Sequence, residues 1–454
     1  MLIVMSDLHL AESESNRLGS LQYNHNLPAV VYRAYFKEIA DLIREDRVGM
    51  IDLVLAGDTF ETTRSALWLR DGLRPYIDNI EVDEGSSVEE RVVEILDAIE
   101  ADARASETLE IFRGLENLFQ RPVRIHFIPG NHDRLVNATP KIRQRVQRLL
   151  GLPINDSPFM NQYIHYVRGE ASVLVRHGHE YDPNNFGENL KSWESIPTFI
   201  DKAAYDKPVF GDITTIELAA KLPQLFKEYY SEGTILASEE LVLLYRRLMD
   251  FDNVRPANAL MNFLFSTAGM SQQDVWKFIE PVIIKAFDEI ALDENLSENI
   301  KELGGMAGFS VGTINRLINT RLWKKGIPFW AIERLLGSLS WKIKPDSLID
   351  VIKKEQCYQP ESSSIQCVVS GHTHNPQVEL VEVDNEQQKY YINCGTFRNV
   401  ITSTPELNHF GRLRSKARVL IFERGEQNQE YTRETGWSFD FTAKYGFGSE
   451  PDPD

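Results

Sequence analysis

Leu2-Ile3-Val4-Met5-Ser6-Asp7-Leu8-His9 opens the chain, and its reading decides the fold. Leu2 to Ser6 is a strand-like run with no alternation toward solvent, so it reads as buried. An acid and a histidine follow at once, where such a strand would end. The arrangement recurs. Ile51 to Ala56 is a second buried strand and runs into Gly57-Asp58-Thr59-Phe60-Glu61. Val123 to Ile128 is a third and runs into Gly130-Asn131-His132-Asp133. Ala171 to Arg176 leads to His177-Gly178-His179, and Gln366 to Ser370 leads to Gly371-His372-Thr373-His374. Chance produces a single Asp-x-His often. Five such pieces, each at a strand-to-loop step, carry information, because open α/β sheets gather their ligands at the carboxyl ends of strands.

Outward from these motifs the chain is ordinary in composition and acidic in charge. Its 454 residues suggest about two to three domains. It is 42% hydrophobic, 26% charged and 10% aromatic, as expected of a globular protein. A net charge of −18 disfavours a protein that coats nucleic acid, while leaving room for a local basic groove. Cys357, Cys367 and Cys394 form no CxxC pair and read as buried, reduced thiols. No basic, apolar leader precedes Asp7, so the expected location is cytoplasmic. The least charged run, Pro256 to Gln273, contains too many amides to span a bilayer, so no transmembrane segment is expected.

Helical periodicity is expected over Pro28 to Glu45, Val88 to Phe119 and Pro140 to Leu150. Gln162 to Val167 and Ala171 to Arg176 read as a hairpin around Gly169-Glu170. Val378 to Val383, Lys389 to Asn393 and Arg418 to Glu423 continue a strand-rich block near the end. From 184 to 364 the pattern is helical, as in Glu239 to Met249 and Trp276 to Leu292, with no convincing strand. A stretch that long is expected to fold as an α-helical cap inserted between two parts of one sheet domain, 1–183 and 365–447. Residues 448–454 form an acidic tail.

Asp, His and Asn side chains in this number suit a centre of two divalent metals, which hydrolyses phosphate esters by neutralising phosphoryl oxygens and acidifying a water. In order and spacing the motifs resemble the calcineurin-like metallophosphoesterase superfamily, whose pattern is D-x-H, G-D-x-x-[DE], G-N-H-[DE], a His after a strand, and G-H-x-H. The resemblance covers about 1–183 and 365–425. It implies an α/β fold, a four-layer αββα sandwich, here with a large α-helical insertion, and a phosphomonoester or phosphodiester hydrolase working by attack of a metal-bridging hydroxide. It implies that Asp7, His9 and His374 bind one metal, that Asn131, His177 and His372 bind the other, and that Asp58 bridges them. His132 would then be the general acid and Glu61 the residue that orients it. Mn²⁺ is the first expectation for the metals, with Fe or Zn open. His177 and His179 compete for one ligand position; family position gives it to His177 and leaves His179 beside the metal or facing substrate.

Other residues are read with less family support. Asn393-Cys394-Gly395-Thr396 turns back toward the site, and Arg398 on that loop is expected to hold phosphate. Asn184 or Asn185 is expected at the mouth. Thr62-Thr63 replaces the Arg-Gly that follows the second motif in protein Ser/Thr phosphatases, and Asp133 replaces their Glu, which argues against that branch. A nuclease acting on single strands or ends is the rival enzyme reading, and a non-catalytic scaffold is the rival outside enzymes. Residues 303–344 reverse the sign of the chain, with Arg316, Arg321, Lys324, Lys325, Arg334, Lys342 and Lys344 against Glu333, and add Trp323, Trp330 and Trp341. That segment suits either a membrane surface or anionic substrate, or a lid packed on an acidic domain.

Overall fold

β1 (Leu2–Met5) lies at the centre of the largest of three sheets among the described residues, with all four side chains at 0% exposure. Burying each such side chain stabilises by roughly 1.5–3 kcal/mol, which explains why the run carries no polar residue. The computed structural model describes residues 1–77, 82–167, 170–255, 259–298, 345–358, 364–384, 387–406, 408–427 and 436–447. A two-residue hairpin, β2 (Arg17–Leu18) and β3 (Leu21–Gln22), precedes α1 (Ala29–Leu42). β4 (Ile51–Ala56) pairs parallel with β1, and β5 (Val123–Ile128) pairs parallel with β4.

Between β4 and β5 run α2 (Ser87–Ala101), α3 (Ala103–Arg113) and α4 (Leu115–Phe119). Sequence spacing suggested one helical stretch here. Asp102 breaks it by adopting an extended backbone and accepting from Ala105 N as the cap of α3. α5 (Pro140–Leu150) follows β5, capped by Thr139 and closed by Gly151 in the left-handed conformation.

The second sheet holds β6 (Tyr163–Val167) and β7 (Glu170–Val175), then β9 (Cys367–Ser370), β10 (Gln377–Asp384) and β11 (Gln387–Asn393), in the order β10-β11-β9-β7-β6. β7, β9 and β11 are parallel. The chain then returns to the first sheet through β12 (Asn399–Ser403), the long β13 (Phe410–Glu423) and β14 (Trp437–Phe447). β13 pairs antiparallel with β1, β12 and β14. Leu2, Val4, Val54 and Ile421 of the first sheet share a core with Val173, Val369 and Ile392 of the second, so the sheets pack face to face.

Between these halves come α6 (Lys202–Asp206), α7 (Phe210–Thr214), α8 (Lys221–Tyr230), α9 (Glu232–Leu236), α10 (Glu239–Met249), α11 (Leu260–Phe265), α12 (Gln272–Leu292) and α13 (Pro345–Ile352). No strand was expected there, yet β8 (Val254–Arg255) pairs parallel with β12 at the edge of the first sheet. Among the described residues the helical stretch does not close around a core of its own. Phe226, Leu244 and Val275 join one cluster with Tyr32, Phe36 and Leu96, while Ile196, Tyr205 and Ile352 pack with Leu174 and Val368 of the second sheet. The basic, aromatic segment 303–344 and the acidic tail 448–454 lie outside the described residues. No helix among the described residues is long and apolar enough to cross a membrane.

One buried ion pair joins the two ends of the helical stretch to the second sheet. Arg176 Nε donates to Glu355 at 2.8 Å, the two side chains being 0% and 1% exposed, and Tyr181 donates to the same carboxylate at 2.7 Å. Arg176 also donates to the carbonyls of Pro197 and Thr198. Removing one member strands a buried charge, so Glu355→Ala is expected to lower stability by about 3–5 kcal/mol in equilibrium denaturation. A loss below about 1 kcal/mol would show that the pair does not hold these ends.

Candidate metal centre

All five motif loops leave the carboxyl ends of parallel strands and meet where the two sheets abut. Their backbones are unusual. Of the seven described non-glycine residues with positive φ, five are Asp7, His9, Asp58, His372 and His374. L-residues adopt this region at a cost of about 1 kcal/mol or more, and such residues cluster where side-chain placement matters more than backbone comfort. Two glycines permit the crowding. A Cβ on Gly130 would overlap the Asp58 carboxylate, and one on Gly371 would overlap that of Asp7.

Three groups of ligand-type atoms result, one of which, His9, Glu61 and His132, shares His9 with the first of the two that follow. Asp7, His9 and His374 form the first: His374 Nε2 lies 3.1 Å from Asp7 Oδ1 and 3.2 Å from His9 Nε2. Asp58, His177 and His372 form the second, with His177 Nε2 3.2 Å from Asp58 Oδ2. Asn131 Oδ1 belongs with them, 3.1 Å from His177 Nε2 and 3.0 Å from His372 Nδ1. Asp58 Oδ2 is also 3.6 Å from His9 Nε2, so its carboxylate lies between the groups.

This donor set fits two cations. Asp7 Oδ1 is buried with no hydrogen-bond partner among the described residues, yet faces imidazole nitrogens. The outer ring nitrogens are already engaged: His9 Nδ1 by Glu61 at 2.9 Å, and His177 Nδ1 by the Ala56 carbonyl at 2.8 Å. Such partners hold the proton on the far nitrogen and leave Nε2 free to bind. Burial opposes the charged forms of Asp7 and Asp58, but the surrounding histidines outweigh it and hold both well below the usual carboxylate range. Burial likewise opposes the imidazolium of His177, which the Asp58 carboxylate nevertheless lifts to about 10. Protons and cations therefore compete for these nitrogens.

His132 stands at the edge of both groups. Its Nδ1 is 2.8 Å from Glu61 Oε1, and its backbone N–H donates to Asp58 Oδ1 at 2.8 Å. Burial works against its charge, but Glu61 and Asp58 outweigh it and raise the group to about 9. Asp133 does not face the ligands. Its carboxylate accepts from the backbone of Thr59, Phe60 and Gly130, binding the second motif to the third. The Thr396 hydroxyl donates to the Asp7 carbonyl, and the Asn393 amide to that of Gly371.

Arg398 and Asn184, expected to face substrate, and His179, expected beside the metal or facing substrate, are all buried. Arg398 is 2% exposed and donates to Asp252 at 2.7 Å, with Glu61 at 3.9 Å on its other side. Its guanidinium is engaged by these carboxylates inside the protein. The Asn184 amide donates to Asp182. His179 is buried against Phe186 and Tyr205, and burial, despite Glu180 alongside, lowers it to about 4.

Sequence reading passed over two residues at the centre. Asp182 Oδ2 lies 3.2 Å from His372 Nε2 and accepts from Asn185 at 2.7 Å, while Asn185 Oδ1 accepts from Asn131 at 3.3 Å. Asp182 thus braces His372 directly and Asn131 through Asn185. Arg255, from β8, places Nη2 3.0 Å from His374 Nδ1.

Residues 1–214 match the family model for calcineurin-like phosphoesterases. This part of the chain belongs to that family. No curated protein matches the chain. Membership in the calcineurin-like phosphoesterases supports metal-dependent hydrolysis of a phosphoester bond, and the buried Asp and His groups fit the metal site it requires. The family match ends before β9, so His372 and His374 join the site through the fold rather than through the matched segment.

Partners of metal-binding histidines typically affect affinity 10–100-fold, so Asp182→Ala is expected to weaken the second equivalent of Mn²⁺ by about that factor in calorimetric titration, with the first much less affected. Equal weakening of both would show that Asp182 acts on the whole loop.

Proposed function

We propose that the protein is a phosphoesterase that hydrolyses a phosphomonoester or phosphodiester at a dinuclear centre, with Mn²⁺ as the first candidate metal and Fe or Zn as alternatives. The observation that carries this reading is the placement of Asp58 between two ligand groups, with His132 and Glu61 beside it. Asp7, His9, His374 and Asp58 would hold one cation, and Asp58, Asn131, His177 and His372 the other. When bound, the two cations neutralise phosphoryl oxygens and acidify the attacking water.

The chain's own groups supply the rest. His132 keeps a proton because Glu61 holds its Nδ1 side, and its outward Nε2 would pass that proton to the departing ester oxygen. The half-buried ring of His132 is open enough to reach substrate. Glu61 positions both His9 and His132, so one carboxylate couples metal binding to the acid. A four-layer αββα arrangement, with 184–364 as its cap and 1–183 and 365–447 as the catalytic halves, belongs to the same proposal. It is supported by the core shared between the sheets and by the helices packed outside them. Cytoplasmic location also belongs to it.

The deciding experiment is hydrolysis of p-nitrophenyl phosphate and bis-p-nitrophenyl phosphate by metal-loaded protein, with labelled single-stranded DNA and RNA alongside. Turnover of nucleic acid alone would favour a nuclease. His132→Ala is expected to lower kcat by about 10²–10⁴ while metal content stays at the wild-type level. Activity should fall as pH rises through the His132 value, since the acid must be protonated. That value is about 9 without cations, and two nearby positive charges pull it lower. The basic limb of the pH profile should vanish in His132→Ala; its persistence would assign the acid to another group.

A further inference from the structure

Most arginines around the centre are neutralised by carboxylates. Arg398 and Arg64 lie against Asp252, Arg412 against Asp250, and Arg134 against Asp212. Arg255 differs. No carboxylate among the described residues lies within ion-pair distance of its guanidinium. It is also a side chain that the helical segment brings to the first ligand group. Its backbone is fixed by the pairing of Val254 and Arg255 with Ile401 and Thr402. Its Nη1 donates to the carbonyls of Asp252 at 2.7 Å and Val254 at 3.0 Å, which holds one edge of the fork. The other edge, Nη2, lies 3.0 Å from His374 Nδ1, at the rim of the first ligand group. The residue is half-buried, so its charge, which no ion pair among the described residues meets, is partly screened from bulk water.

A buried cation of this kind is completed by an anion, and the reaction proposed above supplies one. A phosphodiester carries one negative charge on two terminal oxygens, which two cations can engage. A phosphomonoester near neutral pH is close to a dianion with three terminal oxygens, so one oxygen and one charge remain to be met. A guanidinium meets such an oxygen with directed, charge-assisted hydrogen bonds. Resting on the phosphoesterase reading, we propose that Arg255 binds the third terminal oxygen of a phosphomonoester and makes the centre selective for terminal phosphate groups. Water adds to phosphorus, the bond to the ester oxygen breaks, His132 gives that oxygen its proton, and inorganic phosphate leaves still able to contact Arg255.

Metal-loaded wild type, Arg255→Gln and Arg255→Lys are compared on p-nitrophenyl phosphate and bis-p-nitrophenyl phosphate, and inorganic phosphate binding is measured by calorimetry. Wild type should prefer the monoester. Arg255→Gln should lower the monoester-to-diester ratio of kcat/KM by about 10–100-fold and weaken phosphate binding by a similar factor. Arg255→Lys should recover part of both. Metal content and melting temperature establish that each variant is folded and loaded. A wild type that turns over only diesters, or an Arg255→Gln whose ratio and phosphate affinity match wild type, would overturn the proposal. If wild type cleaves neither ester, the phosphoesterase reading fails, and phosphate affinity alone then decides for or against Arg255.

Discussion

Two buried carboxylates, Asp7 and Asp58, face inward among imidazoles, and the architecture around them serves to keep them there. Alone, either group would resist ionising in so dry a position. The histidines make the charge tolerable, and the left-handed backbone at Asp7, His9, Asp58, His372 and His374 aims the side chains at common points. That strain persists because the loops are over-determined. Asp133 binds two of them together through backbone N–H groups, and Thr396 and Asn393 hold two more from the second sheet. The strand ends bring the groups close, and these hydrogen bonds fix the last ångström.

The helical stretch between the catalytic halves is more integrated than an appended lid. Its helices share one apolar cluster with α1 and α2, its ends are pinned by the Arg176–Glu355 pair, and β8 extends the first sheet. Through Asp250 and Asp252 it reaches the arginines Arg412 and Arg398, and through Arg255 the candidate ligand His374. Changes in this stretch are thereby transmitted to the centre by side chains that touch its ligands, without any need for the stretch to move.

What the sequence made legible was the part governed by local pattern. Apolar runs ending in Asp, His or Asn marked β1, β4, β5, β7 and β9 and brought the candidate ligands to notice. Two residues cannot display a period, so β8 was invisible. β14 was readable in principle, since Trp437, Phe439 and Phe441 alternate inward, but the polar residues between them masked it. Loop position could not show that a carboxylate from elsewhere, Asp252, lies against Arg398. Asp182 and Arg255 stood outside any motif, and only long-range contact reveals them. The positive φ values were hidden for a related reason: glycine advertises that conformation, whereas Asp and His do so only weakly.

The partner of β1 along its antiparallel edge is β13, which spans Phe410–Glu423. During synthesis from the amino terminus, the strand that leads into Asp7 and His9 therefore waits until β13 has left the ribosome before that edge is covered. An open, fully apolar edge is an aggregation hazard, and pairings so distant in sequence form slowly. The first-made ligands are thus among the last to be organised, since their strand is completed only by a partner made hundreds of residues later.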